Sequence, residues 1–165
     1  MPIVRRALLA AATALSVLIG VAASGLAAGT TVQVSLWDKG ADMPMGMGMG
    51  MAMHGNMAMA TMGIDAKPDS VKAGEVTFKA VNTSKDTVHE MVVAPVKDPN
   101  KPLPYIKSEE RVDEDAAGHL GEVAELEPGQ SGALTLTLKP GTYILYCNIP
   151  GHYMAGMWTL FTVKP

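Results

Sequence analysis

The stretch "LKPGTYILYCNIPGHYMAGMWTLFTV", Leu138 to Val163, decides how this chain folds. Pro140-Gly141 predicts a tight turn, since proline presets the first corner and glycine accepts positive φ. A short strand follows through Tyr143 and Leu145, and "MWTLFTV" predicts the last strand. Between them lies a loop bent at Pro150-Gly151, which carries the only cysteine, Cys147, together with His152, Met154 and Met157. The spacing Cys-x4-His-x4-Met lets one loop fold three side chains round one point. Thiolate sulfur, imidazole nitrogen and thioether sulfur form a soft set suited to copper. A free cysteine on its own is more often a small buried hydrophobe; the spacing to His152 and Met157 favours a ligand.

Outward from this loop the pattern stays strand-like. "TTVQVSLW" alternates Val32, Val34 and Leu36 with polar residues. "SVKAGEVTFKAVNTS" predicts a turn at Ala73-Gly74 and a strand through Val76, Phe78 and Ala80. "TVHEMVVAP" predicts another, ended by Pro95, and "GEVAELEPGQSGALTLTLKPGTYILYC" three more, punctuated by Pro128-Gly129 and Pro140-Gly141. Lys97 to Gly118 is charged and Pro-rich and reads as a long surface connection with one short helix. Short strands with regular turn signals predict an antiparallel β-sandwich or barrel. No phosphate-binding glycine loop, nucleophile elbow or basic aromatic stripe appears.

The N-terminus has a separate logic. Arg5 and Arg6 precede an apolar run from Ala7 to Ala23, and small residues follow. That order predicts a secretory signal peptide over residues 1–28, cleaved between Ala23 and Ala28, rather than an uncleaved membrane anchor. Without it, eleven Lys and Arg face sixteen Asp and Glu. The acidic balance argues against nucleic acid and permits docking on a basic protein. Export, to a periplasm or elsewhere outside the cytoplasm, means an oxidising compartment, where a lone cysteine is a hazard or a ligand.

A fourth ligand should be a histidine from another strand. By alternation His89, Met91 and Val93 share one face, and Tyr143, Leu145 and Cys147 share another. If both faces point inward, His89 meets Cys147 at one end of the sandwich. Two histidines, a cysteine and a weak axial methionine make the blue-copper electron-transfer arrangement.

In "VKAGEVTFKAVN", "HEMVV", "LKPGTYILYCNIPGHYMAGM" and "TLFTV" the chain resembles the cupredoxins, the small blue-copper proteins related to plastocyanin, azurin and rusticyanin. The resemblance covers roughly residues 63–165 and implies an all-β Greek-key sandwich. It implies His89, Cys147 and His152 as equatorial ligands and Met157 as the axial one, with Met154 and Glu90 as competitors for that place. Glu90 departs from the family, where a small amide or hydroxyl follows the first histidine. In such relatives a small polar pair staples the ligand loop, so Glu90 is expected within hydrogen-bonding reach of Asn148.

Residues 43–62 hold nine methionines, most at alternate positions among Gly and Ala, with His54 in their midst. An ordinary core does not read this way. Thioethers prefer Cu(I) and survive oxidising conditions, so this tract reads either as a labile copper site or as an adaptable low-complexity linker; its resemblance to the Met-rich segments of periplasmic copper-resistance proteins implies additional labile Cu(I). The resulting organisation is a signal peptide (1–28), a first strand (29–42), a flexible Met-rich insert (43–62) and a copper-binding domain (63–165). The expected role is a monomeric one-electron carrier, not an enzyme, working with a redox partner protein. The alternative is copper storage, delivery or tolerance, with a copper-handling protein as partner.

Overall fold

A computed structural model describes residues 29–40 and 60–165. The expected signal peptide and residues 43–59 of the Met-rich tract lie outside the described residues. Eleven strands and one short helix follow in order: β1 (Thr30–Asp38), β2 (Met62–Lys67), β3 (Ser70–Lys72), β4 (Gly74–Asn82), β5 (His89–Pro95), β6 (Tyr105–Ile106), β7 (Arg111–Val112), α1 (Glu114–Ala117), β8 (Gly121–Leu126), β9 (Ser131–Leu138), β10 (Gly141–Tyr146) and β11 (Trp158–Lys164). One sheet has the order β2-β1-β4-β9, the other β3-β11-β10-β5-β8, and β6 and β7 form a separate hairpin. The β-sandwich read from the turn signals is therefore present. Its pairing is antiparallel except where β1 meets β4 and β3 meets β11, both parallel. Alternation specifies which face a side chain takes, not the direction of the neighbouring strand.

The alternating positions fill the space between the sheets. Val32, Val34 and Leu36 of β1 and Val76, Phe78 and Ala80 of β4 pack with Met91 and Val93 of β5, Tyr143 and Leu145 of β10, and Phe161 of β11. Phe78 and Phe161 meet edge to face with centroids 5.2 Å apart, the geometry that ring quadrupoles favour. Met62, the last methionine of the tract, opens β2 and is buried in this core, so the sandwich resumes one residue before Gly63.

A second cluster lies on the outer face of the other sheet. Val92, Ala94, Ile144, Tyr146 and Trp158 pack there under Leu103, Val112 and Tyr153. The connection from Lys97 to Gly118 is thus more than a surface loop. It contains the β6–β7 hairpin and α1, and it buries Leu103 and Val112 against β5 and β10. The short helix expected there is α1, whose cap Asp113 accepts from the Ala116 N–H. With both faces covered, β5 is buried along its length except at Pro95. Its sequence accordingly runs apolar at consecutive positions, Met91 to Ala94, rather than alternating.

Candidate metal centre

The end of the sandwich where β5 begins and β10 ends gathers the predicted ligands. His89 opens β5, and its side chain is fully buried. β10 and β5 pair with Tyr146 opposite Val92, a register that carries Cys147 toward Met91 and Asn148 toward Glu90. The Cys147 N–H donates to the Met157 carbonyl at 3.0 Å and extends the β10–β11 ladder by one rung. Met157 N–H in turn donates to the His152 carbonyl at 3.0 Å, which closes the loop. Gly151 donates to the Glu110 carbonyl at 2.9 Å with φ at +83°, a left-handed conformation that glycine adopts without steric cost.

His89 Nδ1 lies 3.3 Å from His152 Nδ1, and Cys147 Sγ lies 3.4 Å from the same nitrogen. All three donor atoms fall within 4.8 Å of one another, and all three residues are buried. Donors about 2 Å from an ion in a trigonal plane stand roughly 3.5 Å apart, so the two measured edges suit a bound transition metal. Two imidazoles and a thiol suit copper or zinc rather than magnesium or calcium.

Burial sets the titration of these groups. It pushes the Cys147 thiol up to about 12, against the pull of the Glu90 and Ile149 N–H groups. His152 is held down to about 4 by burial and by His89 beside it. Burial also lowers His89, while Asp38 pulls the other way. Without a metal the centre is therefore a neutral thiol beside neutral imidazoles. Metal uptake must release the thiol proton, because the thiolate is the ligand.

Met157 is fully buried and belongs to the core cluster that contains Cys147. Met154 packs against the other cluster, on the outer face, and lines an open groove of about 300 Å³ with Tyr105, Lys107 and Glu110. Of the competitors for the axial place, Met154 thus sits on the side of the sheet away from Cys147. Glu90 is also turned away. Its Oε1 accepts from the Asn148 backbone N–H at 2.9 Å, the contact expected of the pair, while its own N–H points at Cys147 Sγ at 3.5 Å. Burial, with Glu122 and Glu114 nearby, raises the Glu90 carboxyl to about 7 despite the Asn148 bond and Arg111.

The Asn148 side chain does something the sequence reading missed. Its Oδ1 accepts from Val112 N–H at 2.6 Å, and its Nδ2 donates to the Val112 carbonyl at 3.0 Å and to Glu114 Oε1 at 2.7 Å. It ties the ligand loop to the covering connection. A second omission is Asp38, whose Oδ2 stands 3.0 Å from His89 Nε2. The signal was available: Asp38 continues the inward positions Val32, Val34 and Leu36 by one more step. Burial raises the Asp38 carboxyl, but donation from Gly40, His89 and Thr87 prevails and holds it below the usual range. His119 is exposed, and His54 lies outside the described residues.

A β-sandwich with a buried histidine–cysteine–histidine cluster at one end defines a class of small copper proteins. Residues 49–164 match the family of copper binding proteins of the plastocyanin/azurin type, and the chain belongs to that family. It is 34% identical over 97 residues to auracyanin-B of Chloroflexus aurantiacus, covering 58% of this chain and 34% of that one. It is 51% identical over 41 residues to the copper-resistant cuproprotein CopI of Pseudomonas aeruginosa, covering 24% of this chain and 23% of that one. The matches thus span well under half the length of either relative. Among solved structures, auracyanin B superposes with a TM-score of 0.52 at 26% identity, over 82% of this chain and 89% of that one. Rusticyanin from Thiobacillus ferrooxidans gives 0.52 at 18% identity over 82% and 79%, a likeness of fold.

Proposed function

We propose that the protein is an exported one-electron carrier with a single type 1 copper, bound by His89, Cys147 and His152 with Met157 as a weak axial donor. The convergence of the three buried donor atoms within 4.8 Å carries this reading. Copper would supply a Cu(II)/Cu(I) couple there. The chain's own part is rigidity. The Cys147–Met157 and Met157–His152 backbone bonds and the Glu90–Asn148 tie hold the donors in one arrangement, so little has to move when the charge changes. Such a site suits electron transfer better than catalysis, because an axial Met157 leaves no open position for a substrate. The acidic surface fits a basic redox partner and disfavours nucleic acid, and the working form is a monomer. The N-terminal segment, residues 1–28, is read as a signal for export. No helix among the described residues is long and apolar enough to cross a membrane.

The test is to add Cu(II) to the purified protein and record absorption and EPR spectra. An intense visible thiolate-to-copper band with a narrow copper hyperfine splitting is expected. A colourless or ordinary amine-type Cu(II) spectrum overturns the reading.

A second reading, copper handling through the Met-rich tract, is favoured by where its described flanks lie. On one side Asp38 touches His89; on the other, Ala60 is buried so close to Gly156 that a Cβ there would lie 3.1 Å from Ala60 Cβ. Asp38, before the tract, and Ala60, near its end, therefore both lie beside the metal centre. The match to a copper-resistant cuproprotein points the same way. Removing residues 43–59, which spares β2, should leave the blue spectrum intact and lower the number of Cu(I) ions bound. Equal Cu(I) stoichiometry in a titration against a competing chelator rejects this role.

A further inference from the structure

We propose that Asp38 is a positioning residue of the metal centre: its carboxylate orients the His89 ring and holds a negative charge next to the metal site. This rests on the copper reading above for its redox consequence but not for its geometry. The Asp38 side chain is 6% exposed and the His89 side chain 0%. One carboxylate oxygen accepts from the Gly40 N–H at 2.8 Å, which fixes the group against rotation, and the other faces His89 Nε2 at 3.0 Å. An ionised carboxylate only accepts, so Nε2 carries a proton. The ring's other nitrogen, Nδ1, is then the one turned toward His152 and Cys147.

A carboxylate on the far nitrogen of a ligating histidine fixes the ring and raises its basicity. Because the pair is shielded from water, its charge is felt more strongly at the site than a surface charge would be. Both effects favour Cu(II) over Cu(I), and so lower the reduction potential. The placement follows from the strand pattern. β1 delivers Asp38 to the rim on the inward face, antiparallel to β2, and β5 starts at the same rim with His89.

The experiment compares wild type, Asp38→Asn and Asp38→Ala in the full chain. Asn keeps the size and an acceptor oxygen but loses the charge; Ala loses both. Asp38→Asn should keep the visible band and reduce the Cu(II)-over-Cu(I) preference about tenfold, which raises a one-electron potential by about 59 mV. Asp38→Ala should raise it at least as much and also change the EPR hyperfine splitting, as the ring turns. Wild-type potentials and EPR in both variants, with only the melting temperature shifted, would reduce Asp38 to a packing role and overturn the proposal. A copper-independent arm uses 15N-edited NMR of the metal-free protein. A slowly exchanging His89 Nε2–H, lost in Asp38→Ala, is expected. Its absence from wild type overturns the proposal even if copper binds. Its presence in a protein that gives no blue colour supports the positioning by Asp38 and rejects the copper reading instead.

Discussion

The two faces of β5 and β10 are made from neighbouring residues and do different work. On the inner face, His89 and Cys147 stand at the rim of a core built from Met91, Val93, Tyr143 and Leu145. On the outer face, one residue along, Glu90 and Asn148 take the corresponding places over Val92, Ile144 and Tyr146. Inward residues offer electron-pair donors to a metal; outward residues hold the backbone that carries them. A single step of strand alternation separates the proposed ligands from their support. The inner donors are neutral because burial keeps protons on sulfur and off imidazole, whereas the outer carboxyl is poised near neutrality.

If this division is right, the inner face should give the largest effects. Cys147→Ser is expected to remove the visible band entirely, since a hydroxyl is a poor soft ligand. The metal-free fold should survive it, as the two side chains are nearly the same size. A variant that stays blue would break the assignment. Next comes the paired test of the methionines. Met157→Leu should retain the colour and shift the Cu(I)/Cu(II) preference by about tenfold, or about 59 mV upward, as a weak donor to Cu(II) is lost. Met154→Leu, on the outer face, should leave the potential unchanged. The reverse pattern in protein-film voltammetry would move the axial place to Met154.

Support residues should act more gently. Glu90→Ala should weaken copper retention by about 10–100-fold and broaden the visible band, because the Asn148 N–H loses its acceptor. Glu90→Gln keeps an acceptor oxygen, so its loss should stay below about tenfold. Stopped-flow transfer of copper to a chelator measures both. Equal losses would mean that charge matters here and the hydrogen bond does not.

What could be read beforehand follows the same division. The ligand loop was legible because Pro150-Gly151 and the Cys147, His152 and Met157 spacing are local in the chain. His89 was legible because alternation on β5 and β10 holds through to their ends. The axial role of Met157 and the Cu(I) role of the tract are carried by chemistry and remain proposals. Asp38 was passed over, although it ends the run Val32, Val34 and Leu36, because a carboxylate on an inward face makes sense only once His89 is seen opposite. The cover formed by Lys97 to Gly118 was also hidden. Its buried residues, Leu103 and Val112, are sparse among charges and show no period. Glu90 was expected within reach of Asn148, but its burial, with Glu122 and Glu114 brought close by β8 and α1, leaves it only partly ionised near neutral pH.

The smallest effect concerns that carboxyl, and it sets the two faces against each other. Glu90 is raised from the usual 4.5 to about 7 in the folded protein. The native state therefore holds its proton more tightly than the unfolded chain, and Glu90 lowers stability as pH climbs from about 4.5 through 7. His152 is lowered from 6.5 to about 4, so the unfolded chain binds that proton more tightly. Its contribution is complete above 6.5 and is lost as pH falls toward 4. Lowered His89 acts in the same sense as His152. Over the shared window the outer carboxyl and the inner imidazoles oppose each other, and the metal-free protein should show a shallow pH profile. Glu90→Gln removes one side of the balance and retains the acceptor for Asn148. Urea unfolding of the metal-free variant should then reveal stability that rises with pH across roughly 4 to 6.5, steeper than wild type by up to one proton. Superimposable profiles would show that Glu90 titrates alike in the folded and unfolded chains, and that the outer face is not the buried acidic environment drawn above.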